Sequence, residues 1–159
     1  CGEPRTSKCS AVHHVLMNPK VLAAKVVDQM FNNDWFSRWL GIERIEDGEG
    51  KSVLRMTVRK EMLNGFAIAH GGIAYSLADS ALAFASNSYG IKSVSIETSI
   101  SHIMPVKEGD ILTAVAKEVN RTNKIGIYFI TITNQDKEQV ALFKGTAFIT
   151  NKDWFPEEK

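Results

Sequence analysis

Residues 71–88 read GGIAYSLADSALAFASNS and determine the architecture, because they form one unbroken helical pattern in the middle of the chain. At about 100° per residue, one side of this helix is apolar and predicts a buried face. Its members are Ile73, Leu77, Ala81, Phe84 and Ala85. The opposite side carries small residues where a solvent-facing helix usually shows Lys, Glu and Arg. These are Ser76, Asp79, Ala83 and Ser86.

Asp79 is the only formally charged residue of that segment, and two interpretations of it are open. In the first, it is an ordinary carboxylate on a wet helix surface. In the second, the small face packs against another body and Asp79 points into the resulting cleft. A partly desolvated carboxylate there would attack an acyl carbon or remove a proton from water. The lack of other charges on this face favours the second interpretation.

The loop before the helix, residues 63–72, reads LNGFAIAHGG and carries the other candidate groups. Gly71 and Gly72 open the helix, and the uncovered N–H groups of a helix N-terminus hold developing negative charge. Asn64 offers a further donor for such an oxyanion hole. His70 alone would be read as a structural histidine, but together with Asn64 and Asp79 it is predicted to be catalytic. The glycines match neither the Walker A loop nor the GxGxxG dinucleotide pattern.

The segments around the central helix predict an α+β domain. Leu22, Val26 and Met30 recur every four residues in a helix from Pro19 to Asn32, which Asn18 caps. Trp35, Phe36, Trp39 and Leu40 predict a short helix over one end of the core. Period-two patterns and turn residues predict antiparallel strands that follow one another as a meander. The predicted strands span 41–47, 51–59, 92–104, 111–119, 125–133 and 139–150. The central helix would lie in the concave face of their sheet.

The length, net charge and cysteine and histidine content of the chain limit the kinds of partner and metal site that we expect. A chain of 159 residues suits one domain, predicted here to span 17–159. A net charge of +1 gives no broad reason to expect nucleic acid or a membrane surface as partner, and no run of apolar residues is long enough to span a bilayer. Cys1 and Cys9 are the only cysteines, and the four histidines lack metal-site spacing, so we expect no metal and a reducing, cytoplasmic setting. Residues 1–16 are expected to be a vector-derived or dispensable leader ahead of Met17.

The pattern Asn64-x5-His70-Gly71-Gly72-x6-Asp79, within LNGFAIAHGGIAYSLADSALAFASNSYG, closely resembles the phenylacetate-degradation type of hotdog-fold acyl-CoA thioesterases. Further support comes from Pro105, Gly109-Asp110, Asn134-Gln135 and the stretch VALFKG at 140–145. The resemblance covers about residues 19–150. It implies a hotdog fold, with an antiparallel sheet wrapped around a long central helix.

The resemblance also implies an assembly and a set of residue roles. Two subunits would join their sheets, commonly in a tetramer, with the catalytic carboxylate from one subunit and the His-Gly loop from the other. Asp79 would be general base or nucleophile, and the Gly71 N–H would polarise the thioester carbonyl. Asn64 would assist that polarisation or hold the water, and His70 would position the loop or contact the thioester. Phe66, Ile68 and Tyr75 are candidates for the acyl pocket. Positions implied to bind the substrate are Gly72, Ser95, His102, Met104, Pro105, Lys107, Arg121, Thr122, Lys124 and Lys144.

The implied reaction is hydrolysis of an aryl- or fatty-acyl-CoA, with phenylacetyl or hydroxyphenylacetyl esters as the first expectation and coenzyme A as part of the substrate. A thioester carbonyl lacks the full resonance of an amide, so no cofactor is expected; positioning, an oxyanion hole and one carboxylate suffice. Two alternatives stay open. One is a hotdog hydratase or dehydratase, and the other is a non-catalytic module that binds acyl-CoA.

Overall fold

The computed structural model describes residues 17–156, so the leader predicted at 1–16 lies outside the described residues. Three helices are α1 (Pro19–Asn32), α2 (Trp35–Leu40) and α3 (Gly71–Asn87), with a 3-10 turn at Lys60–Met62. Six strands are β1 (Glu43–Gly48), β2 (Lys51–Thr57), β3 (Ile91–His102), β4 (Ile111–Arg121), β5 (Ile125–Thr133) and β6 (Gln139–Asp153). None of the helices in this part of the chain is long and apolar enough to cross a membrane.

Local capping fixes the start of α1 as predicted. The Asn18 side chain accepts a hydrogen bond from the Lys20 N–H at 2.9 Å. Pro19 occupies the first turn, where a missing N–H costs nothing. Helix α2 is capped in the same way by Asp34 and ends at Gly41, which has a φ of 75°. Strand β1 therefore begins at Glu43, two residues later than predicted at 41.

All strand pairs are antiparallel, in the order β1-β2-β4-β5-β6-β3. The predicted pairing of successive strands is therefore correct for β1 with β2 and for β4, β5 and β6, but not for β3. Strand β3 pairs with β6 rather than with β4, its successor in sequence. The reason is the helix between β2 and β3: α3 crosses the sheet, so the chain re-enters at the far edge and β4 is left to pair with β2.

Helix α3 lies in the concave face of the sheet and contacts all six strands, which confirms the predicted α+β arrangement. Leu77, Ala81, Phe84 and Ala85 are buried as predicted, whereas Ile73 is only partly buried. On the small face, Ser76, Asp79 and Ala83 are partly exposed, and Ser86 is buried. A strip of small residues with one carboxylate is thus open along the helix.

The sequence predicted that the aromatic residues of α2 cover one end of the core, and the structure shows that they do not. Trp35, Phe36 and Trp39 are 74%, 55% and 59% exposed, and only Ser37 and Leu40 of this helix are buried. A helix of six residues turns a single narrow face inwards, and here Ser37 Oγ lies 2.8 Å from Ser80 Oγ of α3. The aromatic side chains therefore face outwards, away from the core.

Candidate active site

A groove of about 330 Å³ opens where α3 begins, and it contains several of the predicted site residues. Its lining comprises Asn64, Ile68, Ala69, His70, Gly71, Ala74, His102, Ile103, Met104, Pro105 and Val106. Two chain segments form most of it: the loop before α3 and the segment after β3. The Ala69 N–H donates to the Val106 carbonyl at 2.7 Å, which holds the two walls together.

Asn64 is held so that its amide nitrogen is available to a ligand. Its side-chain oxygen accepts the N–H of Phe66 at 2.9 Å and, more weakly, that of Ile68 at 3.4 Å. Because an amide oxygen that is engaged fixes the orientation of the group, the NH₂ end is left over as a donor. Among the described residues, no group accepts from it. A free amide donor is what the predicted contribution of Asn64 to an oxyanion hole requires, and that role stays a prediction.

His70 is the N-cap of α3. Its Nδ1 accepts the Gly72 N–H at 3.0 Å, so the ring proton is assigned to Nε2. The Gly72 N–H is engaged by this cap. The Gly71 N–H, one residue earlier, donates to none of the described groups. It therefore remains a free donor at the positive end of the helix dipole, where an oxyanion is stabilised.

Asp79 lies outside this groove. It follows Gly71 on the same helix by more than two helical turns. It is half-buried on the strip of small residues, and desolvation by burial raises the pKa of its carboxyl above the ordinary value. No hydrogen bond or ion pair joins it to another described side chain. Its burial therefore lacks the partner that a structural carboxylate usually has.

The predicted substrate-binding residues divide into three groups. His102, Met104 and Pro105 line the groove, and Gly72 stands at its edge in the first turn of α3. Arg121 and Thr122 instead line a second groove of about 320 Å³ at the β4–β5 turn, where Lys124 donates to Asn151 at 2.9 Å. The other three lie in neither groove: Ser95 on β3, Lys144 on β6 beside Glu97, and Lys107 in the turn before β4.

The guanidinium of Arg121 is already engaged by neighbouring side chains, so it is poorly available to bind a phosphate. Its guanidinium donates to the Tyr128 hydroxyl at 3.3 Å, lies 3.7 Å from Glu118, and covers the ring of Tyr89. Burial, followed by the hydrogen bond to Glu118, raises the pKa of Tyr89 to about 12 and that of Tyr128 further. This network is not predicted from the sequence, because its members come from separate strands and loops with no motif to join them.

The acyl-pocket candidates are also separated. Ile68 lines the groove, whereas Phe66 projects from the loop and is 86% exposed. Tyr75 is partly buried: its hydroxyl lies 2.5 Å from Thr98 Oγ1, and its ring packs edge-on against Phe143. In one chain, only Ile68 therefore adjoins the free donors.

Residues 66–141 match the profile of the thioesterase superfamily. Acyl-coenzyme A thioesterase PaaI of Escherichia coli is 43% identical over 73% of this chain and 83% of its own length. The chain belongs to the thioesterase superfamily. A second relative, an esterase by its description, comes from Archaeoglobus fulgidus and is 41% identical over 85% of this chain and 88% of its own.

Solved structures agree with the hotdog fold. The E. coli PaaI structure, from the phenylacetic acid degradation operon, superposes with a TM-score of 0.84 at 38% identity, over 86% of this chain and 99% of that one. A Streptococcus mutans protein bound to acetyl-CoA superposes with a TM-score of 0.68 at 28% identity, over 70% and 90%. This chain is thus an acyl-CoA thioesterase homologue of the PaaI type, and a thioester hydrolase.

Proposed function

We propose that two copies of this chain form each active site, which hydrolyses an aryl- or fatty-acyl-CoA to the free acid and coenzyme A. The proposal rests on the separation of the two halves of the chemistry. Free donors at Gly71 and Asn64 both line the groove, while the half-buried carboxylate of Asp79 lies more than two turns further along the helix. One thioester carbonyl cannot contact both within one chain.

The edge strand β3 provides the surface through which a second copy would supply the missing half. Among the described strands it has a partner on one side only, and it exposes Val94 and Ile96 to 56% and 57%. An unpaired apolar edge is a template for pairing with another chain. Pairing of β3 with its symmetry mate would continue the sheet and bring the two small-residue strips of α3 face to face. Asp79 of one copy would then approach the groove of the other.

In this site, the thioester oxygen would accept hydrogen bonds from the Gly71 N–H and the Asn64 amide. These donors stabilise the negative charge that develops on the oxygen as the carbonyl carbon is attacked. Asp79, with its pKa raised by burial, would act as a stronger base than an exposed carboxylate, or as the nucleophile itself. His70 would hold the Gly71 N–H in place through its cap on Gly72. We propose that no metal or cofactor takes part.

Coenzyme A would enter past Met104 and Pro105, with its nucleotide near the outer basic residues. Lys107, Lys124 and Lys144 carry exposed ammonium groups that suit phosphates. Ser95 and Thr122 would add hydroxyl donors, and Arg121 would serve mainly to hold the β4–β5 turn. The S. mutans homologue with acetyl-CoA bound supports an acyl-CoA ligand for this fold. Tetrameric assembly and a cytoplasmic setting stay predictions.

We propose an aromatic acyl group as the first candidate, because the E. coli relative comes from the phenylacetic acid degradation operon. The test is thiol release from phenylacetyl-, hydroxyphenylacetyl-, benzoyl- and short, medium and long aliphatic acyl-CoA esters. Asp79→Asn runs beside the parent chain as the matched variant. We expect turnover by the parent and a loss of at least about a hundredfold in kcat for the variant, in keeping with removal of a general base.

Each remaining interpretation has its own outcome. Thiol release at equal rates from parent and Asp79→Asn would remove Asp79 from the mechanism. Binding of CoA esters without release would indicate the non-catalytic module. A change in acyl unsaturation without free thiol would indicate the hydratase or dehydratase.

A further inference from the structure

The groove contains two imidazoles, and only one of them has a structural task. His70 Nδ1 is engaged by the Gly72 N–H, so the ring cannot exchange a proton at that atom without breaking the helix cap. His102 lies at the end of β3, with an exposed side chain. Among residues 17–156, no hydrogen bond or ion pair holds the His102 ring. It is an unengaged acid-base group in a predicted active site.

His102 is packed against the first residue of α3. A methyl group added to Gly71 would meet His102 Nε2 at 3.1 Å and Cε1 at 3.4 Å. A Cβ lies two covalent bonds, or about 2.5 Å, from the backbone nitrogen of its own residue. His102 Nε2 is therefore no more than about 5.6 Å from the Gly71 nitrogen. An oxyanion bound to that N–H would bring the thioester sulfur, one bond beyond the carbonyl carbon, within reach of the ring.

We propose that His102 is the general acid of the reaction and protonates the departing sulfur. This rests on the proposed thioesterase function and adds a residue role to it. Attack by water or by Asp79 forms a new bond to the carbonyl carbon. The C–S bond then breaks, and its electron pair goes to sulfur. The imidazolium of His102 gives its Nε2 proton to the sulfur, so coenzyme A leaves as the thiol. When water attacks directly, Asp79 takes its proton, and that proton returns to His102 through solvent. When Asp79 attacks, water then cleaves the acyl–Asp79 anhydride to the free acid and the Asp79 carboxylate, and the proton released from that water restores the imidazolium.

The basicity of the leaving thiolate determines how much a general acid contributes to the rate of this step. An alkyl thiolate such as that of coenzyme A is a much stronger base than an arylthiolate, so it leaves faster when it receives a proton. A nitrothiophenolate is stable as the anion and needs no acid. A general acid therefore contributes to cleavage of the alkyl thioester and not of the nitrothiophenyl ester. A residue that only shapes the groove or holds Gly71 affects both esters alike.

The experiment compares two esters of the preferred acyl group, with N-acetylcysteamine and with 4-nitrothiophenol. Neither carries the coenzyme A nucleotide, so loss of phosphate contacts does not enter. His102→Gln and His102→Asn keep a polar side chain without an acidic proton. His70→Ala is the comparison, as a second groove histidine whose role is positional. Circular dichroism verifies that each variant is folded.

We expect both His102 variants to lose about a hundredfold or more in kcat on the alkyl thioester, and less than about threefold on the nitrothiophenyl ester. His70→Ala should lose activity on both by a similar factor. Equal losses for His102→Gln on the two esters, or no loss on the alkyl ester, would overturn the role of His102 and leave the thioesterase function standing. A parent chain that releases no thiol from acyl-CoA esters would overturn both.

Discussion

At Asp79, function and stability oppose each other. Burial raises the pKa of its carboxyl, which means that the fold disfavours the charged form. The folded state therefore binds this proton more tightly than the unfolded chain does. The resulting penalty on stability is fully present above the raised pKa of the folded state. It disappears as the pH falls below the ordinary pKa of an unfolded Asp. A carboxylate kept at such a position is better explained by chemistry than by folding.

We predict that Asp79→Asn raises the free energy of unfolding at neutral pH, and that this gain shrinks as the pH falls through the range of carboxyl titration. The measurement is urea unfolding of both chains at several pH values. Glu46→Gln is the control of opposite sign, because the hydrogen bond from Lys51 lowers the pKa of Glu46 in the fold. That variant should lose stability at neutral pH and lose nothing at low pH. A destabilised Asp79→Asn at neutral pH would contradict this account.

At the scale of elements, the close approach of α3 to β6 depends on Gly145. A Cβ on this residue would overlap the side chain of Leu82, with Cδ1 at 2.9 Å and Cδ2 nearer still. Leu82 is buried, so its side chain cannot swing into solvent to make room. The glycine therefore lets the helix settle into the sheet at its centre, where β6 pairs with both β5 and β3.

We predict that Gly145→Ala lowers the free energy of unfolding by about 1–3 kcal/mol, the usual cost of overpacking a core. Gly48→Ala is the matched control, since a Cβ there meets the Lys51 Cβ at an ordinary 3.8 Å. Chemical unfolding of the two variants measures the difference. Equal stabilities would mean that the helix and the sheet are not as tightly packed as the structure indicates.

The sequence predicted the helices and strands better than it predicted which strands pair and which residues make contact. Helix α1 was identified from its cap and period, and α3 from its apolar stripe, because both signals are local in the chain. The pairing of β3 with β6 was missed, since it is set by the path of α3 across the sheet. The contact of His102 with Gly71 was equally out of reach, because no local pattern joins residues that far apart. Trp39 is apolar and yet exposed, so the apolar character of a residue does not by itself predict that it is buried.

At the scale of the whole molecule, the single chain leaves three features unexplained. These are a half-buried carboxylate without a partner, an edge strand with exposed Val94 and Ile96, and free donors in a groove whose lining holds no carboxylate among the described residues. A second copy joined along β3 accounts for all three together. The symmetry of such a dimer would create two equivalent sites, each built from both chains.

Complementation between two inactive chains is the decisive test of a shared site. Asp79→Asn and Asn64→Ala are mixed in equal amounts, unfolded, refolded together, and assayed for thiol release beside each variant refolded alone. A mixed dimer has one site with both intact residues and one with neither. With half of the dimers mixed, the account predicts recovery of about a quarter of the parent activity from two inactive chains. Activity no higher than that of the separate variants would contradict a site shared between subunits.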